Sequence, residues 1–378
     1  MGPDHYDVAV VGAGLAGAAA ARELAGRGHS VLLLEQYSVG HDRGSSHGSS
    51  RIFRRAYADP AYVALTGRAD AEWLRLEEES GVTLRTRTGG LDAGPDRPQS
   101  IHDALRAHGV DASLLEAGQV AERWPGITLD GPACFHPEAG HLDADLTVTT
   151  LLDLAAKDGA QLREHTPMTR IEPVADGLLV HTDSRSDRVG TVVVAAGAWL
   201  PELLAGLGVT PELPPVQVQQ VEVFHHRHRD PEAAWPTLVH EDQSQIYCLA
   251  SGRDGGPQPA YKIGQFDTDS TTTASSRDGV IDNRSRRTVR SFVERHLPGL
   301  EPEPLAEKSC LFTMTSDEDF VLDRVDARGG KVVIASPCSG HGAKFAPLTG
   351  VLVADLVEGA APHPRFAFRA GRSVSRHA

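Results

Sequence analysis

Cysteine is scarce in this chain of 378 residues: Cys134, Cys248, Cys310 and Cys338, with no CxxC and no close pairing. A disulfide-stapled scaffold carries a denser set, and a structural zinc site needs ligands paired at short spacing, so neither is supported and no metal is expected. Long apolar runs are missing too. The longest, Val8 to Ala21, is broken by Gly12, Gly14 and Gly17 and falls short of the about 20 apolar residues that cross a bilayer. The first residues lack the basic start of a signal peptide, and Tyr6 stands where a myristoylation motif needs Ser or Thr. Positive charge is in deficit: 37 Lys and Arg face 51 Asp and Glu, a net of −14. Binders of nucleic acid or of an anionic membrane carry a basic face, so neither partner is expected. Lysine is the rarity within the basic set, only Lys157, Lys262, Lys308, Lys331 and Lys344, so each one is worth placing. The reading at this level is a soluble, cytoplasmic chain with length for two or three domains at about 150 residues each.

What is present is a series of strand–glycine–helix units. Residues 6–11, YDVAVV, have the length and β-branching of a buried strand. GAGLAG follows, then a helix ending at Gly26 or Gly28, then the strand SVLLLEQ with Glu35 at its end. This is a βαβ unit, whose parallel strands require the helical crossover. Residues 40–50 read as a Gly/Ser/His loop, 61–81 as a half-buried helix with a solvated acidic face, and 142–158 as another helix. Residues 161–190 alternate like a meander, and TVVVAA (191–196) is a further buried strand. VQVQQVEVF, QIYCL and AYKIGQF, within 215–266, predict a second sheet. A polar loop over 267–278, a helix over 283–296, the strand KVVIA at 331–335 and an apolar helix to about Glu358 complete the chain. The tail after 366 reads as polar and loose. The histidines of HHRHRD (225–230) lack the ordered spacing of a metal site and read as an exposed strand-end loop.

The strongest local motif is Gly12-Ala13-Gly14-Leu15-Ala16-Gly17. Gly12 permits a tight turn, Gly14 admits a pyrophosphate to the backbone, and Gly17 allows close helix–strand packing, while Glu35 is placed to accept from ribose hydroxyls. A phosphate would sit at the helix N-terminus, where free N–H groups and the helix dipole favour an anion. NAD enzymes and flavoproteins share this fingerprint, so the motif alone does not choose between them. No second triple-glycine fingerprint follows. If the cofactor is FAD, electrons therefore arrive from the substrate and leave to oxygen or another acceptor.

Beyond that motif, SSHGSSRIFRRAY (45–57), RWPGIT (123–128), VVVAAGAW (192–199), EKSCLFTMTSDEDFVLD (307–323) and CSGHGAKF (338–345) occur in order along nearly the whole chain. In these the sequence resembles the monomeric sarcosine oxidase family, with the N-methyl amino acid, pipecolate and fructosyl-amine oxidases around it, among the D-amino-acid-oxidase-like flavoproteins. The resemblance implies a mixed α/β fold: a Rossmann-like FAD-binding domain (1–82, 141–213 and 318–366) interleaved with an antiparallel-sheet substrate domain (83–140 and 214–317). It implies a small-molecule amine bearing a carboxylate, O2 as acceptor with hydrogen peroxide released, and a monomer. A flavin dehydrogenase serving a carrier protein and a non-catalytic nucleotide-binding scaffold are the alternatives.

The site residues follow from the same resemblance. Cys310 matches the family's covalent flavin attachment, whereas Cys134 and Cys248 read as small buried hydrophobes. His47 and Arg51 fall against the flavin, with Gly340, His341, Gly342 and Lys344 in the loop lining it. Arg54 and Lys344 fall on the carboxylate anchors, a role suited to a planar guanidinium fork and a point cation. Lys262 matches the lysine that promotes reaction with oxygen, and Tyr247 a tyrosine lining the substrate. Three departures stand out. Gln265-Phe266 replaces a Tyr-His pair, Phe312 lacks a hydroxyl, and Cys338 enters a loop that elsewhere reads GFSGHG. The first two put sarcosine itself in doubt and favour a bulkier or less polar amine that keeps its carboxylate.

Overall fold

The computed structural model describes residues 4–266 and 270–369. Its first strand, His5–Val11, buries its last four side chains completely. It pairs in parallel with Val31–Leu34 on one side and with Ser186–Val194 on the other. Gln161–Arg163 and Gly330–Ser336 extend the sheet in parallel at its two ends. Strands covered on both faces must be apolar throughout, which is why VAVV, VLLL, TVVV and KVVIA read as unbroken hydrophobic runs. Helices Leu15–Gly26, Ala144–Lys157 and Ala346–Val357 cover one face. The packing is close: a methyl on Gly350 would lie 2.4 Å from the Ala19 carbonyl oxygen. The meander Met168–Val174, Gly177–Thr182 and the first half of Ser186–Val194 folds over the other face, burying Ile171, Leu178 and Val180 against Val11, Leu32 and Val192.

The second sheet is built on a long antiparallel pair, Val216–His228 with Leu300–Thr315. Ala260–Gln265, Ile246–Ala250 and Thr237–His240 follow antiparallel, and Gly90–Ala93 then joins in parallel from far earlier in the chain, carrying Ala133–His136 beside it. Helix Asn283–His296 lies on this sheet through Val289, Phe292 and Val293, over a core of Phe224, Trp235, Ile246 and Tyr261. A small antiparallel sheet of Arg51–Phe53, Gly140–Leu142 and Arg85–Arg87 stands between the two large ones. Among the described residues no helix is long and apolar enough to cross a membrane.

Two sequence expectations need correction. HHRHRD is not an exposed loop: the strand runs to His228, and His225, His226 and His228 are all buried. Leu300–Thr315 pairs along the whole strand, and Trp235 and Tyr261 close over His228 with ring centroids 4.8 and 5.7 Å away. Burial pushes the pKa of all three imidazoles down, that of His225 to about 4. Residues 161–163 also leave the expected meander to form the parallel edge beside Val31–Leu34. Part of the polar loop (267–269) and the tail from 370 lie outside the described residues; before that tail, Phe366 is buried.

Helix Pro60–Ser80 carries Trp73 into the core, where its indole N–H donates to the Lys344 carbonyl at 2.7 Å. A fully buried Trp combines a large apolar area with one obligatory hydrogen bond. Trp73→Ala is expected to cost about 3–5 kcal/mol and Trp73→Phe a smaller part of that, read as shifts in the urea unfolding midpoint.

Candidate active site

The turn after the first strand has room only for glycine. Gly12 adopts φ +99°, and a methyl there would lie 2.6 Å from the Ala195 carbonyl oxygen. A methyl on Gly17 would meet the Gly12 oxygen at 1.8 Å, and one on Gly14 the Ser46 hydroxyl at 2.7 Å. The helix Leu15–Gly26 therefore starts tight against the strand end, with no acidic side chain in its first turn to occupy its N-terminal N–H groups. Glu35 is buried beneath the turn and accepts from the Ala13 and Tyr37 N–H groups, both at 2.9 Å. Burial alone would raise its pKa, but His41 and these two N–H groups outweigh it and hold the carboxylate ionised. Beyond Glu35, the rings of Tyr37, His41 and Trp199 form a cluster with centroids 4.9–6.2 Å apart.

One cavity of about 370 Å³ runs from this cradle across the seam between the sheets to Lys344 and Phe266. Loop 44–50 forms one wall. Arg51, opening the strand Arg51–Phe53, donates to the Ser50 carbonyl at 2.9 Å, the Ser45 carbonyl at 3.2 Å and the His47 carbonyl. That fixes a guanidinium beside His47 and Cys310. Burial would push the Cys310 thiol up, but His47 and Arg51 outweigh it and bring its pKa down to about 6. A lowered thiol pKa favours the thiolate, which is the nucleophilic form. Cys134, Cys248 and Cys338 behave oppositely: burial raises each of them. Cys338 lines the cavity and accepts from the Thr313 N–H at 3.3 Å.

Lys262 lies at the same wall, fully buried in the strand Ala260–Gln265. Its ammonium pairs with Asp254 at 2.8 Å and donates to the Ser50 carbonyl at 3.1 Å. At the far end Lys344 is buried in the turn Gly342–Phe345 and donates to the Tyr57 hydroxyl at 3.0 Å and the His341 carbonyl at 2.9 Å. Both partners are neutral. Burial, reinforced by Arg54, pushes its pKa well below the ordinary lysine value. The His341 ring is held from both sides, Nδ1 by the Tyr57 hydroxyl and Nε2 by the Glu318 carbonyl, each at 2.9 Å.

Arg54 also lines the cavity, but it is already engaged. It pairs with the buried Asp92 at 2.9 Å and donates to the Ala56 carbonyl. Asp92 holds Arg97 at 3.1 Å as well, and Arg97 in turn pairs with Glu241. With a protonated Lys344, three cations face two carboxylates, leaving one positive charge for a ligand. Tyr247, Phe266 and Phe312 complete this end of the cavity. The two phenylalanine rings sit 5.9 Å apart, and a methyl on Gly340 (φ +73°) would lie 2.5 Å from Phe266.

Every residue nominated from the sequence, Gly17 apart, lines this one cavity; Gly17 acts behind the turn. Sequence reasoning missed Asp92, Arg97, Glu241, Tyr57 and Asp254. Asp92 lies in the run GGLDAG, where an acid inside a glycine-rich strand of apolar neighbours was the one available signal; Asp254 in GRDGG reads as an ordinary turn residue. The cavity suits an extended dinucleotide with a fused ring: a glycine cradle that any Cβ would fill, a buried carboxylate beside it, and, in the wall formed by loop 44–50, the buried atoms His47 Nε2 and Ser50 Oγ without hydrogen-bond partners.

Comparison with known proteins agrees. The family described as "DAO: FAD dependent oxidoreductase" matches residues 7–356. The chain is 34% identical to monomeric sarcosine oxidase of Streptomyces avermitilis over 95% of each chain. It is 33% identical to human peroxisomal sarcosine oxidase, covering 93% of this chain and 92% of that one. N-methyl-L-tryptophan oxidase of Yersinia pestis is 31% identical, with 92% and 94% covered. Among solved structures, NikD, described as an unusual amino acid oxidase essential for nikkomycin biosynthesis, superposes with a TM-score of 0.86 at 27% identity over 98% of both chains. With a family match spanning nearly its full length and curated relatives above 30% identity, the chain belongs to the DAO family of FAD-dependent oxidoreductases.

Proposed function

We propose that this protein oxidises the C–N bond of a secondary, N-methyl or cyclic amino acid to an imine while O2 is reduced to hydrogen peroxide. The observation that carries this is one cavity holding both a dinucleotide cradle at Gly12–Gly17 and, at its other end, buried cations with a charge to spare. FAD, when bound, supplies the two-electron acceptor chemistry that links the amine to O2. The chain's own residues do the rest. Residues 1–82, 141–213 and 318–366 form the unit that holds FAD, with 83–140 and 214–317 supplying the substrate side, in a monomeric cytoplasmic enzyme. Gly12, Gly14 and Gly17 admit the pyrophosphate, Glu35 accepts from the ribose, and His47, Arg51, Gly340, His341 and Gly342 line the ring system. The Cys310 thiolate is the covalent anchor, favoured by the cations beside it.

Arg54 and Lys344 anchor the substrate carboxylate, and this fixes the adjacent carbon in one orientation. Asp92 holds the Arg54 fork in place, so orientation is prepaid before binding. Lys344 arrives without a carboxylate partner among the described residues; a bound carboxylate supplies one. Phe266 and Phe312 line the cavity with apolar rings against which a small polar amine would gain nothing, which supports a substrate with a larger apolar body. Tyr247 lines the same side, and Lys262 serves the oxygen half of the reaction, where a cation in a low-dielectric site stabilises charge developing on O2.

Three outcomes are expected. Lys344→Met lowers kcat/KM roughly 10- to 100-fold, the loss of one charged hydrogen bond, measured against a panel of N-methyl and cyclic amino acids by peroxide release. Burial lowers the Lys344 pKa, and a bound carboxylate opposes that shift by favouring the ammonium form. Affinity for an aromatic carboxylate lacking an amine therefore falls as pH rises through the Lys344 titration, and calorimetry in buffers of different ionisation enthalpy reads net proton uptake on binding. Wild-type protein precipitated with acid stays yellow, whereas Cys310→Ser releases its colour to the supernatant; a colourless wild-type pellet would contradict the covalent link.

A further inference from the structure

The hairpin loop between strands Ile246–Ala250 and Ala260–Gln265 reaches back over loop 48–50 and delivers one carboxylate into the cavity wall, that of Asp254. We propose that Asp254 is a positioning residue, which fixes the ammonium of Lys262 at the wall and keeps it charged for the oxygen half of the reaction. The inference rests on the reading of Lys262 given above and adds to it the residue on which that lysine depends.

The geometry allows the carboxylate one position. Its Oδ2 is 2.8 Å from Lys262 Nζ, and its Oδ1 accepts from the Ser49 hydroxyl at 2.9 Å. The Asp254 N–H donates back to the same Ser49 oxygen at 3.2 Å. Glycines seal both sides. A methyl on Gly252 would lie 2.1 Å from the Ser49 hydroxyl, and one on Gly48 (φ +91°) 2.9 Å from Asp254 Oδ2. The loop is also tied down next door, where Arg253 pairs with Asp143 at 2.5 Å. A second anchor on Lys262, the Ser50 carbonyl at 3.1 Å, belongs to the loop that Asp254 grips. Carboxylate, ammonium and loop 48–50 thus form one unit.

The electrostatics show why the lysine needs it. Burial pushes the Lys262 pKa down and Arg51 pushes the same way, while Asp254 is the main opposing group, leaving about 8. The other titratable groups facing this spot are Cys310 and Lys308 on Leu300–Thr315, His225 on Val216–His228 and His141 on Gly140–Leu142. His225 Nε2 lies 3.9 Å from Asp254, but burial brings its pKa to about 4, so it stays neutral and does not compete for the carboxylate. Asp254 itself is held well below the usual carboxylate range, chiefly by Lys262 against the opposing effect of burial. O2 takes two electrons, supplied by the amine, and two protons to become hydrogen peroxide. The first electron makes an anion, and a neutral Lys262 would offer it no charge.

The scarcity of lysine makes the test direct. Holoenzyme labelled with [ε-13C]lysine shows five lysine signals, with Lys262 assigned by its absence in Lys262→Met. In Asp254→Asn, Lys262 is expected to titrate at least one pH unit below its wild-type value. In stopped-flow at pH 7.5, the rate of oxygen reaction relative to anaerobic reduction by substrate should fall at least tenfold, recovering as pH is lowered. Asp254→Glu should restore most of the ratio. Ser49→Ala, which loosens the carboxylate without removing its charge, should move both readouts the same way by less, and it serves if the Asn variant does not fold. Unchanged Lys262 titration in the variants would overturn the inference. An undiminished oxygen reaction in Lys262→Met would instead overturn the underlying reading of Lys262, with the titration still deciding whether Asp254 holds its charge.

Discussion

Burying positive charge is the constraint around which this site is arranged. Removing a cation from water costs several kcal/mol unless a partner offsets it, and Arg51, Arg54, Lys262 and Lys344 all line one seam. Each is compensated differently. Arg51 is wrapped in backbone carbonyls of its own loop, Arg54 leans on Asp92, Lys262 on Asp254, and Lys344 has only a phenol and a carbonyl. The differences assign roles. Arg54 and Lys262, each matched by a carboxylate, are held in place, whereas Arg51 and Lys344, left with neutral partners, lack a counter-charge that a ligand can bring. The −14 of the whole chain says nothing of this, because the seam inverts the average.

Much of the parallel-sheet half was legible in the sequence because its physics is local. A buried parallel strand must be apolar along its length, and a turn that presses a helix onto it must be glycine, so residues 6–35 announce themselves. The strands at 192 and 331 were found for the same reason. The histidines of 225–228 were misread because their burial is decided elsewhere, by a strand 72 to 81 residues further on that pairs with them edge to edge. Periodicity within a segment carries no information about what another segment will lay against it.

The same distinction separates the site residues found from those missed. Cys310, Lys262 and Lys344 sit in motifs dense enough to resemble a family, and lysine and cysteine are rare enough here for each to be weighed. Asp92 and Asp254 are two of many acids, and only the fold brings them to Arg54 and Lys262, 38 and 8 residues away in sequence. Partners of a buried charge are chosen by tertiary contact, so a single sequence shows the charge and conceals the partner.

The parallel sheet has one more consequence, for how the chain comes to exist at all. Its strands are ordered 161–163, 31–34, 5–11, 186–194 and 330–336, and the helix Ala346–Val357 packs directly on Leu15–Gly26. A helix made early is thus covered by one made much later. Until the ribosome has released residue 357, the face of Leu15–Gly26 that Gly350 will meet stays bare, and the strand Ser186–Val194 has an open edge. Long-range closures of this kind fold slowly and leave sticky surface exposed meanwhile. Truncation anywhere before the helix Ala346–Val357 therefore removes part of the parallel-sheet unit rather than trimming its end.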